Sequence, residues 1–92
     1  MASIFITGSA DGLGQLAAAS LVEQGHQVVL HARNAQRGHQ AKQNVPGAAH
    51  VITGDLADLE ETKNVADEAN AWGRFDAVIH NAGVYQAPAK EI

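Results

Sequence analysis

Four short groups of residues in this 92-residue chain have types and spacings that could do chemistry: Thr7-Gly8-Ser9-Ala10-Asp11-Gly12-Leu13-Gly14, Arg33-Asn34, Asp55-Leu56 and Asn81-Ala82-Gly83. The first group says most. Glycine at positions 8, 12 and 14 permits a tight turn and lets the backbone approach a pyrophosphate with no Cβ in the way. The apolar run Ile4-Phe5-Ile6 precedes this loop, and an Ala/Leu-rich segment follows it without Gly or Pro until Gly25. Strand, glycine turn and helix, in that order, build a phosphate site, because the unpaired N–H groups of the helix's first turn face the negative charge. The spacing is G-x-x-x-G-x-G and not the commoner G-x-G-x-x-G. Read alone, the stretch is also compatible with an ordinary glycine turn ahead of a helix.

The elements that must position these groups follow from periodicity. Ile4-Phe5-Ile6 has the composition of a buried strand. From Gly12 to Gln24, apolar residues at Leu13, Leu16, Ala17, Leu21 and Val22 mark one helical face, expected to pack into the core, with Gly25 as the C-terminal cap. Gln27–Ala32 reads as a second strand, with Val28-Val29-Leu30 buried on both faces in the manner of a parallel sheet. A polar helix from Ala35 to about Asn44, interrupted by Gly38, ends before the turn signal Pro46-Gly47. His50–Thr53 reads as a third strand. Asp58 and Glu61 resemble a capping box opening a helix from Leu59, which is expected to bury Leu59, Val65, Ala66, Ala69 and Trp72 and to stop near Gly73. Phe75–His80 reads as a fourth strand, and Val84–Ile92 carries no clear period. Strands alternating with helices predict an α/β fold, a partial doubly wound (Rossmann-like) parallel sheet of four strands in the order 3-2-1-4. In such a sheet ligands sit outside the carboxyl ends of the strands, where all four groups would meet.

Composition narrows the possible partners. A net charge of −4 without a basic cluster argues against nucleic acid and anionic membrane. With no cysteine there is no disulfide or thiolate metal site. Aromatic residues make up 4%, so the core must be built from Ala, Val, Leu and Ile. No signal peptide and no run approaching about 18 apolar residues is visible, which makes a soluble cytoplasmic protein the expectation. His26, His31, His39, His50 and His80 are scattered without metal-ligand spacing, and His31 and His80 are expected to face a helix or the glycine loop.

Thr7-Gly8-x-x-x-Gly12-x-Gly14, Asp55-Leu56 after the third strand and Asn81-Ala82-Gly83 after the fourth together resemble the short-chain dehydrogenase/reductase family. His80 stands where that family commonly has a first Asn. The resemblance runs along the whole chain but matches only the N-terminal part of the family's pattern. It implies a nicotinamide dinucleotide held by Gly8, Ser9, Ala10, Asp11, Gly12, Leu13 and Gly14, with the three glycines admitting the pyrophosphate. Asp55 would accept a hydrogen bond from the adenine amino group, with the Leu56 backbone beside it; a solvated turn residue is the other reading of Asp55. Asn81 would brace the central strands, and Ala82 and Gly83 would line the adenosine ribose. The resemblance further implies hydride transfer in which a Tyr acts as general acid/base, a Lys four residues on lowers its pKa, and a Ser polarises the carbonyl. These would lie beyond Ile92. Tyr85 and Lys90 are spaced one residue too far apart, so no catalytic residue is assigned.

Arg33 and Asn34 bear on which dinucleotide is held. An acid at the end of the second strand would bond the ribose 2′-hydroxyl of NAD, whereas a nearby Arg accommodates the 2′-phosphate of NADP. Ala32 stands where the acid would sit and Arg33 follows, which favours NADP with NAD as the alternative; Asp11 in the glycine loop argues the other way. Finally, a fourth strand carrying Val78 and Ile79 would be an apolar sheet edge, and self-association through it is expected.

Overall fold

Ile4, Phe5 and Ile6 are buried because they form the middle of a central strand. The computed structural model of the chain describes residues 1–9 and 12–81. Its elements are β1 (Ser3–Thr7), α1 (Gly12–Glu23), β2 (Gln27–Ala32), α2 (Ala35–Asn44), β3 (His50–Thr53), α3 (Leu59–Trp72) and β4 (Ala77–His80). The four strands form one all-parallel sheet in the order β3-β2-β1-β4, as the alternation of strands and helices predicts. Ile6 of β1 is in register with Leu30 of β2 on one side and Ile79 of β4 on the other, which brings the ends of β1, β2 and β4 to one level. Ala10, Asp11, Ala82, Gly83, Tyr85, Lys90 and the tail from Val84 lie outside the described residues.

Alternation along each strand divides the core into two layers. Ile4, Ile6, Val28 and Leu30 pack with Ala18 of α1 and Ala41 of α2 on one face. Phe5, Val29 and Ile52 pack with Val65 of α3 on the other. Helices on both faces are what a doubly wound sheet requires. Phe75 falls outside β4, which begins two residues later, and its ring stacks on Phe5 at 5.4 Å.

Three details of the helices depart from the periodicity reading. In α1 the buried residues are Gly14 and Ala18, with Leu21 and Val22 partly buried, while Leu13 and Leu16 are 77% and 66% exposed. A stripe of small residues lets the helix axis lie close to the sheet, and the larger leucines are carried off the contact face. In α3 Val65 is buried and Ala69 partly so, but Leu59 (87% exposed) and Ala66 are exposed. Trp72 is not buried either; it stacks on His50 at 5.2 Å, and His50 Nε2 meets Glu68 Oε2 at 2.9 Å. A 14-residue helix over a four-residue strand has more apolar face than the strand can cover. Gly38, by contrast, does not break α2. It is buried against β3, where a Cβ would stand 2.9 Å from Thr53 Cγ2, so glycine is what allows the close contact.

The helix termini are closed by local bonds. The Asn34 side chain accepts from the Arg37 N–H at 2.9 Å and Asp58 Oδ1 from the Glu61 N–H at 3.1 Å, each satisfying a first-turn donor. Only half of the expected capping box forms: the Glu61 carboxylate accepts the Asp55 N–H at 2.7 Å instead of that of Asp58. α1 ends in a Schellman turn, with the Gly25 N–H donating to Val22 O and the His26 N–H to Leu21 O. No helix among the described residues is long and apolar enough to cross a membrane.

The two classes of leucine separate cleanly in a stability measurement. Leu30→Ala, at a fully buried position, is expected to cost about 2–5 kcal/mol. Leu16→Ala is expected to stay within about 0.5 kcal/mol of the parent. Urea denaturation midpoints check both, and equal losses would contradict the burial assigned to α1.

Candidate cofactor site

The loops after β1, β3 and β4 are tied to one another at the carboxyl ends of the strands, through His31 of β2 and Asn81. β1 runs into Gly8, whose φ of 67° is a conformation that side chains disfavour. The Gly8 N–H donates to His31 Nδ1 at 2.9 Å, and the Ser9 N–H donates to His31 O at 3.0 Å. Ser9 is fully buried. Its Oγ accepts the His31 N–H at 2.7 Å, and its own proton faces Ile6 O at 2.9 Å and His31 O at 3.2 Å. On the far side of the imidazole, Nε2 donates to Gly54 O at 2.8 Å, and the Gly54 N–H donates to Ala32 O at 2.9 Å. Because Nδ1 accepts from an amide, the proton is on Nε2, and the ring is neutral. Burial pushes the His31 pKa below its ordinary 6.5, against the bond to Gly54 and the nearby Asp55 carboxylate, which pull it up.

Asn81 closes the other side. Its N–H donates to Thr7 Oγ1 at 3.0 Å and its Nδ2 donates to Gly8 O at 3.2 Å, so the loop after β4 is bonded to the loop after β1. Gly14 sits against this junction. A Cβ there would lie 2.5 Å from Gly8 O, 2.7 Å from Asn81 Nδ2 and 3.1 Å from Ser9 Cα. At Gly12 a Cβ would meet nothing within 4 Å, so glycine there serves its φ of 59° and keeps the front of the first turn clear. The first-turn N–H groups of Gly12, Leu13 and Gly14 have no carbonyl of their own helix to bond, which suits an anion. The backbone cradle therefore fits a pyrophosphate, with the donors coming from α1 and not from Gly8 or Ser9, whose N–H groups are already used.

At the end of β3, Asp55 Oδ1 accepts the Ala57 N–H at 2.9 Å in an Asx turn. A carboxylate has capacity for further bonds beside that one. Leu56 packs partly buried against the α3-side core. At the end of β2, Arg33 is exposed, and Asn34 is committed through its side chain to capping α2. Gly8, Ser9, Arg33, Asn34, Asp55, Leu56 and Asn81 thus lie on the segments that follow the four strands, with Gly12, Leu13 and Gly14 on the first turn of α1, whereas Ala10, Asp11, Ala82 and Gly83 lie outside the described residues. Periodicity alone gave no role to Ser9 as a buried tie or to Glu61 as the clamp on the Asp55 amide; Glu61 three residues after Asp58 was the available signal. A cleft of about 380 Å³ lies between α2 and β3, lined by Gly38, His39, Lys42, His50 and Val51 and also by Ala35 and Thr53, which adjoin Asn34 and Gly54 in the chain.

The short chain dehydrogenase family profile matches residues 2–92. An uncharacterized oxidoreductase of Emericella nidulans is 59% identical over 92 residues, covering 99% of this chain and 36% of the relative. A short-chain dehydrogenase of Gibberella zeae is 54% identical over 91 residues, covering 99% of this chain and 35% of the relative. Among solved structures, a 3-oxoacyl (acyl-carrier-protein) reductase from Agrobacterium tumefaciens with NADP bound is similar with a TM-score of 0.76 and 26% identity, covering 88% of this chain and 33% of that one. The chain spans about a third of the length of these relatives.

Gly14→Ala forces a methyl group against the Gly8 carbonyl and the Asn81 amide. The expected cost is about 1–3 kcal/mol in urea denaturation, with the Gly8 and Asn81 amide resonances displaced. An unperturbed Gly8 amide in the folded variant would contradict the contact.

Proposed function

Since the chain belongs to the short chain dehydrogenase family, we propose that it holds a nicotinamide dinucleotide across the carboxyl ends of its four strands. On this reading, residues 1–92 supply the cofactor-binding portion of an oxidoreductase that moves hydride between NADP(H) and a carbonyl or alcohol substrate. The observation that carries the reading is the bonded chain Asn81–Gly8–His31–Gly54, which fixes three loops at the sheet edge where a doubly wound fold binds its ligand. The dinucleotide, when bound, supplies the hydride acceptor or donor. The residues of this chain bind and orient it. Gly12, Leu13 and Gly14 offer amides to the pyrophosphate, with Gly8, Ser9, Ala10 and Asp11 shaping the loop. Asp55 accepts from the adenine amino group beside Leu56, Asn81 keeps the β1 and β4 loops together, and Ala82 and Gly83 line the ribose.

NADP is the preferred form. Arg33, exposed directly after β2 and next to Asn34, presents a planar guanidinium suited to a 2′-phosphate, and no acid occupies position 32. The solved Agrobacterium tumefaciens reductase with NADP bound supports this choice by similarity. Titration of the chain with NADPH and NADH, followed by nucleotide fluorescence, tests the reading: saturable binding of NADPH is expected. Arg33→Ala should weaken NADPH about tenfold or more and NADH much less, the worth of a charge-assisted contact to phosphate. Equal losses would sink the 2′-phosphate role, and no binding of either nucleotide would sink the site.

A second property is favoured by a separate observation. All four residues of β4 are exposed, with Val78 at 46% and Ile79 at 39%, and its outer backbone edge has no described partner strand. An apolar unpaired edge pairs with another strand. Self-association of this chain through β4 is therefore proposed. Sedimentation velocity should show dimers or larger species growing with concentration, and Val78→Lys should shift them toward monomer. A strictly monomeric parent at high concentration would contradict it.

A further inference from the structure

Most polar side chains near the site have a plain role: Asn34 and Asp58 cap helices, and Ser9 satisfies backbone groups. His31 is different, because it is a buried titratable ring whose two nitrogens bond two separate loops of the site, Gly8 of the glycine loop at 2.9 Å and Gly54, next to Asp55, at 2.8 Å. We propose that His31 is a positioning residue whose neutral imidazole locks the glycine loop to the β3 loop, so that a proton taken up at Nδ1 releases Gly8 and weakens dinucleotide binding. The second half rests on the cofactor reading given above; the first half does not.

The geometry dictates the direction. Protonated imidazole has two donors and no acceptor. Nε2 keeps its bond to Gly54 O, but Nδ1–H would then point at the Gly8 N–H, donor against donor, on a buried ring beside a half-buried amide. One of them has to move. Gly8 is the more easily displaced partner because it lies in a turn, whereas His31 is held through its backbone by the bond to Ser9 Oγ within β2. Displacing Gly8 also disturbs its carbonyl, which accepts from Asn81 and abuts Gly14. A proton on one ring thus reaches the loops after β1 and β4 and the start of α1, and uncouples them from the loop after β3. Among the described residues, the charged group acting on the ring is Asp55; Glu61 of α3 lies one bond further out, on the Asp55 amide.

The same ring also sets a pH window for stability. The unfolded chain takes up a proton at the ordinary 6.5, while the folded chain resists to a lower pH. Between the two values the unfolded state binds more protons, so this contribution to stability declines as pH falls through that window and is level above it.

The test uses the full chain at fixed ionic strength, at about pH 8 and about pH 5, on either side of the ordinary histidine range. NADPH and NADH are titrated into the parent and into His31→Asn, whose Oδ1 still accepts from Gly8 but does not titrate. The parent should lose about tenfold more affinity than His31→Asn on acidification, the worth of one buried hydrogen bond. Nitrogen-15 NMR of the parent follows the His31 ring and the Gly8 amide in parallel. The ring should be the Nε2–H tautomer at high pH, and the Gly8 amide should shift with the ring's own midpoint, below 6.5. Equal losses of affinity in parent and variant, or a Gly8 amide that stays in place while the ring titrates, would overturn the proposal. If neither nucleotide binds at high pH, the cofactor reading fails separately, and the Gly8 response still decides whether His31 locks the loop. Should His31→Asn not fold, the parent's NMR titration decides alone.

Discussion

A parallel sheet has to release all its strands at one edge, and the backbone groups freed there can no longer be satisfied by the ladder. Buried N–H and C=O groups left without partners cost about 1–3 kcal/mol each, so something must bond to them. In this chain the partners are side chains drawn from strands, loops and α3. The His31 ring serves the loop after β1, Ser9 Oγ serves the backbone of β1 and β2 at Ile6 and His31, Thr7 Oγ1 and Asn81 serve the junction with β4, and Glu61 reaches back to the Asp55 amide. The arrangement that satisfies the backbone is also the one that fixes the loops relative to one another. Satisfaction and preorganisation are the same set of bonds here.

Close approach is the second requirement, and it is met by leaving side chains out. Gly14 lets the start of α1 touch the Gly8–Asn81 junction, and Ala18 continues the small-residue stripe down the helix. The consequence is that the first turn of α1, whose N–H groups have no carbonyl of their own helix to bond, stands against the end of β1. The two glycines have separate causes: a Cβ at position 14 would collide with backbone, while position 12 has room but an unfavourable φ.

Strand order, the parallel sense and the convergence of the four loops were legible in the sequence, because alternating apolar runs and glycine punctuation report backbone path directly. Burial within helices was less legible. Leu13, Leu16, Leu59 and Trp72 have the right spacing for a core face, yet α1 buries Gly14 and Ala18 instead, while in α3 only the expected Val65 and, in part, Ala69 make the contact. Periodicity identifies a face but not which sector of it meets a four-strand sheet, and hydrophobicity scales underrate the small residues that permit contact. The site was legible as loops but not as bonds. His31 was expected to face a helix or the glycine loop, and it does face the loop; that its ring also reaches Gly54 depends on the register of β2 against β3, which no local pattern encodes.

Amide NMR mapping with NADPH shows whether a dinucleotide sits on the loops tied together by Asn81, Gly8 and His31. Added NADPH should shift the resonances of Gly12, Leu13, Gly14, Arg33, Asp55, Leu56 and Asn81 and leave those of His39, Lys42 and His50 in place. Shifts centred on His39, Lys42 and His50, with the glycine loop unmoved, would contradict that placement.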